Sequence, residues 1–267
     1  MVEEIIKRKN EFIEKLKERR SIKEAILETK KAGKRAIITE VKRRGLKEGG
    51  GGEGIEIEAA EAANQMRKGG ACAISALTDA AFSGSLEDLK TVKLSVELPV
   101  LRKDFIFDEF QVHESYAYGA NAILLIARFL SAERLKVLVK KASSLGMEAL
   151  IEIDRKSKDK ILNPDILGMA SLIGINNRDL DTFEVNLATF EEIAPEVKPE
   201  LPADVFLVAM SGINSKEDAR RMFEAGADAL LVGTSIMNAE DIERKVKDFV
   251  SNSLSTKQSK NADITTI

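Results

Sequence analysis

Tryptophan is absent from this chain, and tyrosine occurs only twice against eleven phenylalanines. A core of any size must therefore be aliphatic, and the 44% of apolar residues is enough to build a large one from Ile, Leu, Val and Ala. The single cysteine, Cys72, excludes an internal disulfide and fits a reducing compartment. It precedes an apolar run and reads as core. The one histidine, His113, falls mid-helix, far from any strand end, and reads as structural. Neither has neighbours at ligand spacing, so no metal site is expected. No apolar run approaches the roughly 18–20 residues of a membrane span, and the opening MVEEIIKRKNEF lacks a signal-peptide core. The expectation is a cytoplasmic protein without membrane contact, a monomer or weak homo-oligomer. Net charge is −3, but residues 1–35 hold twelve Lys/Arg against seven Glu. That local excess reads as a solvated helix face more readily than as an anion-binding element. No nucleic-acid motif is present, so a nucleic-acid partner is set aside.

What the chain does have is one unit written several times. Gly70-Ala71-Cys72-Ala73-Ile74-Ser75-Ala76, Gly119-Ala120-Asn121-Ala122-Ile123-Leu124-Leu125 and Gly226-Ala227-Asp228-Ala229-Leu230-Leu231-Val232 match closely. Gly168-Met169-Ala170-Ser171-Leu172-Ile173-Gly174 matches more loosely. Each puts glycine where a helix would end and a short apolar run where a strand covered on both faces would begin. With the runs between them, eight strands are predicted: 36–41, 73–77, 100–103, 122–126, 149–152, 172–175, 206–209 and 229–232. Helical patterns such as Ala132–Ser144 and Lys216–Glu224 separate them. Eight strand–helix alternations predict an α/β chain folded as a (β/α)8 TIM barrel. An open doubly wound sheet is the other arrangement such alternation allows.

Two ends lie outside the eight units. Residues 3–19 predict an extra N-terminal helix carrying Ile5, Ile6, Phe12, Ile13 and Leu16. Ser21 and Glu24 form an S-x-x-E capping box for a second helix over about 22–31. One domain over 1–250 is expected, followed by a polar, aperiodic tail at 251–267 without fixed structure. The glycine-rich loop 43–54 is expected to be mobile.

In a barrel of this kind chemistry sits at the C-terminal strand ends. There the sequence places Glu40 and Lys42, Lys103-Asp104, Glu152, Asn176-Asn177-Arg178 and Ser211-Gly212. One charged strand end is ordinary; five at one mouth make a site. Glu40 and Lys42 flank Val41 with period two, so both point inward. Lys103 and Glu152 are the expected acid–base pair, since a partly desolvated lysine beside other cations can act as a general acid. After the last two strands, Ser211-Gly212 and Gly233-Thr234-Ser235 let backbone N–H groups approach an anion, the usual phosphate position of these barrels.

At these residues the chain resembles the indole-3-glycerol phosphate synthase family over about residues 1–250. Glu40-Val41-Lys42 resembles the family's E-x-K, and Leu101-Arg102-Lys103-Asp104-Phe105 its K-D-F signature. Ser75–Thr78 with Phe82–Ser85, Leu150–Glu152, Gly174–Leu180, Ser211–Ile213 and Gly233–Ser235 follow in order. The resemblance implies closure of a carboxyphenylamino-deoxyribulose phosphate to an indole with loss of CO2 and water, without a cofactor. It implies that Lys103 protonates the ribulose carbonyl oxygen and that Glu152, with Glu40 nearby, serves the later proton transfers. Lys42, Asn176 and Arg178 would hold the polar groups, Phe82 and Phe105 would flank the ring, and Ser211, Gly212, Gly233 and Thr234 would take the phosphate. Met210 would also meet the substrate.

The sequence departs from the family pattern twice. Gly45-Leu46-Lys47 stands where the family has a Ser-Pro-Ser turn, and Met210 replaces a glutamate. Activity below the family's level is therefore expected. Two other readings stay open: a repurposed barrel with a Schiff-base lysine at Lys103 or Lys42, and a barrel that binds sugar phosphates without turnover.

Overall fold

The computed structural model describes residues 1–42 and 57–252; the expected mobile loop, the Gly45–Lys47 departure and all but two residues of the expected tail lie outside them. Eight strands close into a barrel in sequence order, every neighbour parallel. They are β1 (Ala36–Val41), β2 (Ala73–Leu77), β3 (Val100–Lys103), β4 (Ala122–Ile126), β5 (Glu148–Ile153), β6 (Leu172–Asn176), β7 (Phe206–Met210) and β8 (Ala229–Val232). Two helices precede the barrel, α1 (Val2–Lys17) and α2 (Ile22–Lys31). The crossovers carry α3 (Ala59–Gly69), α4 (Leu86–Ser95), α5 (Glu109–Ala117) and α6 (Ala132–Ser144). Two single turns follow, α7 (Lys158–Ile161) and α8 (Pro164–Leu167), and then α9 (Ala188–Val197) and α10 (Lys216–Glu224). After β8 come α11 (Thr234–Met237) and α12 (Ile242–Val250).

The repeated glycine unit works as the sequence implies at three of its four copies. Gly70, Gly119 and Gly226 have φ of +96°, +87° and +105°, the left-handed turn that ends a helix and feeds the next strand. Gly168, in the looser copy, is not among the residues with positive φ. The capping box at α2 forms only in part. Ser21 Oγ accepts from Glu24 N at 3.0 Å, but the Glu24 carboxylate does not close the box, and a carboxylate from β5, Glu148, meets the first turn instead. Glu148 accepts from Ile22 N, Lys23 N and Ser21 Oγ, and so caps α2 from the barrel itself.

Strand alternation divides the apolar residues into two cores. Ile37, Val41, Ile74, Ile123, Ile151 and Ile173 face outward against the helices, while Ile38, Leu101, Leu124, Leu150, Leu172 and Val208 fill the lumen. Ile22 and Ile26 of α2 are fully buried and join the lumen cluster, so α2 plugs the barrel floor. The same alternation turns Glu40 inward and Val41 outward, as the period-two reading requires. Among the described residues no helix is long and apolar enough to cross a membrane.

Candidate active site

A cavity of about 290 Å³ opens at the C-terminal ends of the strands. The residues expected to act on or hold a substrate line it: Glu40 and Lys42, Phe82, Lys103 and Phe105, Glu152, Asn176 and Arg178, Met210, Ser211 and Gly212, Gly233 and Thr234. Asn177 and Ser235 do not; Asn177 Nδ2 donates to Ser211 O and its Oδ1 accepts from Phe190 N. Register brings them to one level, because Leu77 pairs with Lys103, Ile126 with Glu152 and Asn176 with Met210. His113 and Cys72 stand elsewhere. His113 is exposed on α5, and Cys72 is buried, its thiol pushed up to about 12 by burial.

The K-D-F turn shows how local chemistry aims Lys103. Arg102, on the opposite face of β3, is buried and donates to the carbonyl of Gln111 and to Ser115 Oγ. It also binds Asp104 Oδ2 at 2.9 Å, and the Asp104 carboxylate accepts from Thr78 Oγ1 and Phe105 N. With its two neighbours anchored, Lys103 is directed into the cavity. No hydrogen bond or ion pair engages its ammonium among the described residues.

Two carboxylates face it, and both are buried. Glu152 Oε1 accepts from Asn176 Nδ2 at 2.8 Å, while Glu152 Oε2 and Glu40 Oε2 have no hydrogen-bond partner among the described residues. Burial pushes the Glu152 carboxyl up. The charge on Lys103 and the Asn176 bond oppose the rise, and the neighbouring Asp154 and Glu40 charges reinforce it. An unpartnered, buried carboxyl oxygen is costly in a merely structural role. Two of them at one mouth make this the candidate site.

The last two strands shape the end of the cavity where a phosphate is expected. Ser211 and Gly212 are consecutive left-handed residues, φ +68° and +80°. Ser235 Oγ donates to Ile213 O at 2.9 Å, tying the loop after β7 to α11. Lys42 Nζ donates to Thr234 Oγ1 at 2.7 Å and lies 3.4 Å from Glu40 Oε1. A Cβ at Gly233 would come within 2.6 Å of that same Glu40 oxygen, so glycine there leaves room for the carboxylate.

The sequence profile of the family described as indole-3-glycerol phosphate synthase matches residues 2–249. The chain belongs to this family. The indole-3-glycerol phosphate synthase of Kineococcus radiotolerans is 41% identical over 216 residues, 80% of this chain and 75% of its own length. That of Aquifex aeolicus is 41% identical over 215 residues, 80% of each chain. That of Leptospira interrogans reaches 46% over 176 residues, 66% of this chain and 67% of its own. Among solved structures, thiamine phosphate pyrophosphorylase from Pyrococcus furiosus shares the fold, with a TM-score of 0.57 at 17% identity over 80% of this chain and 93% of its own.

In this indole-3-glycerol phosphate synthase family member the Met210 thioether packs into the lumen, 1% exposed, where a Cβ on Gly174 would come within 2.4 Å of its sulfur. Arg178 is committed in part to structure, since its Nη1 donates to Phe183 O. Phe129, Leu180 and Phe183 also line the cavity and were not among the residues picked from sequence. Phe129 and Phe183 are apolar loop residues, which a pattern of polar strand ends does not pick out, although Arg128 beside Phe129 stands as close to the end of β4 as Arg178 does to that of β6.

Proposed function

We propose that this chain closes 1-(2-carboxyphenylamino)-1-deoxyribulose 5-phosphate to indole-3-glycerol phosphate, with Lys103 and Glu152 as its proton-transfer groups. The observation that carries this reading is Lys103 facing the buried, raised Glu152 carboxyl across one cavity. The phosphate lies between Ser211-Gly212 and Gly233-Thr234, with the Lys42 ammonium beside them. The carboxyphenyl ring lies toward Phe82 and Phe105. Lys103 gives its proton to the ribulose C2 oxygen as the ring carbon bearing the carboxylate attacks C2. The carboxylate then leaves as CO2, and its bonding electrons restore part of the ring's conjugation.

The second half needs an acid for the departing hydroxyl and a base for the last ring proton. Glu152 keeps its proton to higher pH than an exposed glutamate, which suits it to protonate that hydroxyl. Its unpartnered Oε2 is the oxygen free to do so. Glu40, at the same mouth, accepts the proton released as the indole forms. Arg178 and Asn176 hold the polar chain between ring and phosphate. The substrate supplies its own leaving groups, so this route calls for no cofactor, and nothing in it requires a second subunit or a membrane.

Purified protein supplied with the substrate should develop indole fluorescence, and inorganic phosphate should compete with that substrate. Substrate binding without any rise in indole fluorescence would reduce the chain to a sugar-phosphate-binding barrel.

A further inference from the structure

Behind the aromatic end of the cavity lies a cluster of charges that the reaction does not use. Arg128 follows β4, Asp154 and Lys156 follow β5, and Asp181 lies in the loop after β6. None of the four lines the cavity. Arg128 Nη1 donates to Asp154 Oδ2 at 2.9 Å, and its Nη2 donates to Asp181 Oδ2. Lys156 Nζ donates to the same Asp181 oxygen. One guanidinium, only 14% exposed, thus joins three successive strand-end loops.

Both outer loops present a phenylalanine to the cavity right beside this bridge. Phe129 adjoins Arg128, and Phe183 stands two residues past Asp181. Each loop is built rather than slack. Lys160 Nζ donates to the carbonyls of Ala127, Arg128 and Leu130, fixing the turn that carries Phe129. In the other loop Asp179 Oδ1 accepts from Asp181 N and Thr182 N, and Phe183 N donates to Asp179 O. Phe183 itself is held at φ +60°, a left-handed conformation that bulky L-residues avoid. Such a backbone persists where its surroundings over-determine it, and it collects at ligand contacts. The two rings stay 61% and 44% exposed, apolar surface that a flat aryl group would cover.

The geometry points to Arg128 as a positioning residue: through Asp181 it sets the span between Phe129 and Phe183, and so the fit of the substrate's carboxyphenyl ring. This rests on the synthase reading for the identity of the ring. Among the described residues no hydrogen bond or ion pair links these four charges to the loops after β7 and β8, so the span between the two rings can be altered at Asp181 without breaking a polar contact of the phosphate end.

The test uses a reduced substrate, 1-(2-carboxyphenylamino)-1-deoxyribitol 5-phosphate, which binds without reacting. Asp181→Asn, at a half-exposed position, keeps the buried Arg128–Asp154 pair intact and so should fold. It should weaken binding of this probe by about tenfold while inhibition by inorganic phosphate stays unchanged. Arg128→Gln should do the same, Arg128→Lys should recover part of the loss, and the Arg128→Gln/Asp181→Asn double variant should be no worse than Arg128→Gln alone. In turnover the effect of Asp181→Asn, which leaves Asp154 paired with Arg128, should appear in KM with kcat nearly unchanged. Unchanged probe affinity in Asp181→Asn, or an equal loss of inorganic phosphate affinity, would overturn the assignment. A wild-type protein that binds the probe but never forms indole would remove the synthase reading and leave the bridge standing.

Discussion

The two ends of this barrel bury charge in opposite ways. At the floor, Lys93 is almost fully buried and donates to Glu18 O at 2.7 Å and to Asn121 Oδ1 at 3.3 Å. Asn121 also accepts from Val100 N and donates to Glu18 O, and Asp228 binds Lys30, Lys198 and Leu207 N. The groups left over there are donors, Arg19 Nε and Arg20 Nε, on guanidinium groups whose other nitrogens are engaged. At the mouth the carboxyl oxygens Glu40 Oε2 and Glu152 Oε2, and the Ser75 hydroxyl in register with Glu40, have no hydrogen bond among the described residues, and neither has the Lys103 ammonium. Satisfied polar groups rigidify a fold, whereas unsatisfied ones keep their capacity for a ligand. The floor holds the barrel together, and the mouth is kept ready for chemistry.

The contrast breaks most sharply at Lys103. Lys103→Ala should lower turnover by roughly 10²–10⁴ while the denaturation midpoint barely moves, because the ammonium holds nothing in place. A folded variant with near-native turnover would strip Lys103 of its role. Asn121→Ala should do the reverse, costing about 2–4 kcal/mol by stranding Val100 N and removing one of the two acceptors of the Lys93 ammonium. Its turnover per folded molecule should match the parent, and a fall in kcat at full folding would show the floor reaching the mouth.

A pH series sharpens the same point. Burial, then the charge of Arg20, pushes Lys93 down to about 7, with Glu18 opposing and Arg19 adding to the shift. From there up to the ordinary lysine range the unfolded chain holds a proton that the native chain has released. Stability therefore rises with pH across that window, and the burial penalty is fully present below it. Lys93→Met should lose this rise, so that the parent gains on the variant by on the order of 3 kcal/mol between neutral and alkaline pH. Urea midpoints of both chains give the difference and cancel Cys72, which is common to both. Parallel curves would mean that Lys93 titrates normally.

The smallest effect is expected at Met210, where the mouth is less charged than the family pattern. Met210→Glu should raise turnover by up to about tenfold and leave phosphate affinity within a few-fold, at some loss of stability as an apolar contact becomes a buried carboxylate. Unchanged or lower turnover would mean that the site is organised around the thioether.

The barrel was legible because its strands are covered on both faces, which makes them uninterrupted apolar runs between helix-ending glycines. Five strands match residue for residue, and the other three are longer by one or two residues at their ends. The mouth was legible for a related reason: inward-facing polar residues interrupt those runs at their C-terminal ends. The floor was not, since Glu148 sits one residue before the predicted fifth strand and reads as a helix-end charge until α2 is seen docking on it. Phe129, Phe183 and Arg128 were equally hidden. Their roles depend on loops meeting in space, which no local periodicity encodes.

Closure carries a consequence for how the chain assembles. β1 pairs with β8, residue 39 beside residue 232, and Arg35 N donates to Val250 O while Asn252 Nδ2 donates to Gly33 O. During synthesis β1 leaves the ribosome first among the strands and waits longest for its second neighbour. Until β8 arrives, one of its edges is an open row of hydrogen-bonding groups, the kind of edge on which chains aggregate. The first and last strands therefore meet late, and the seam between them is the last part of the barrel wall to close.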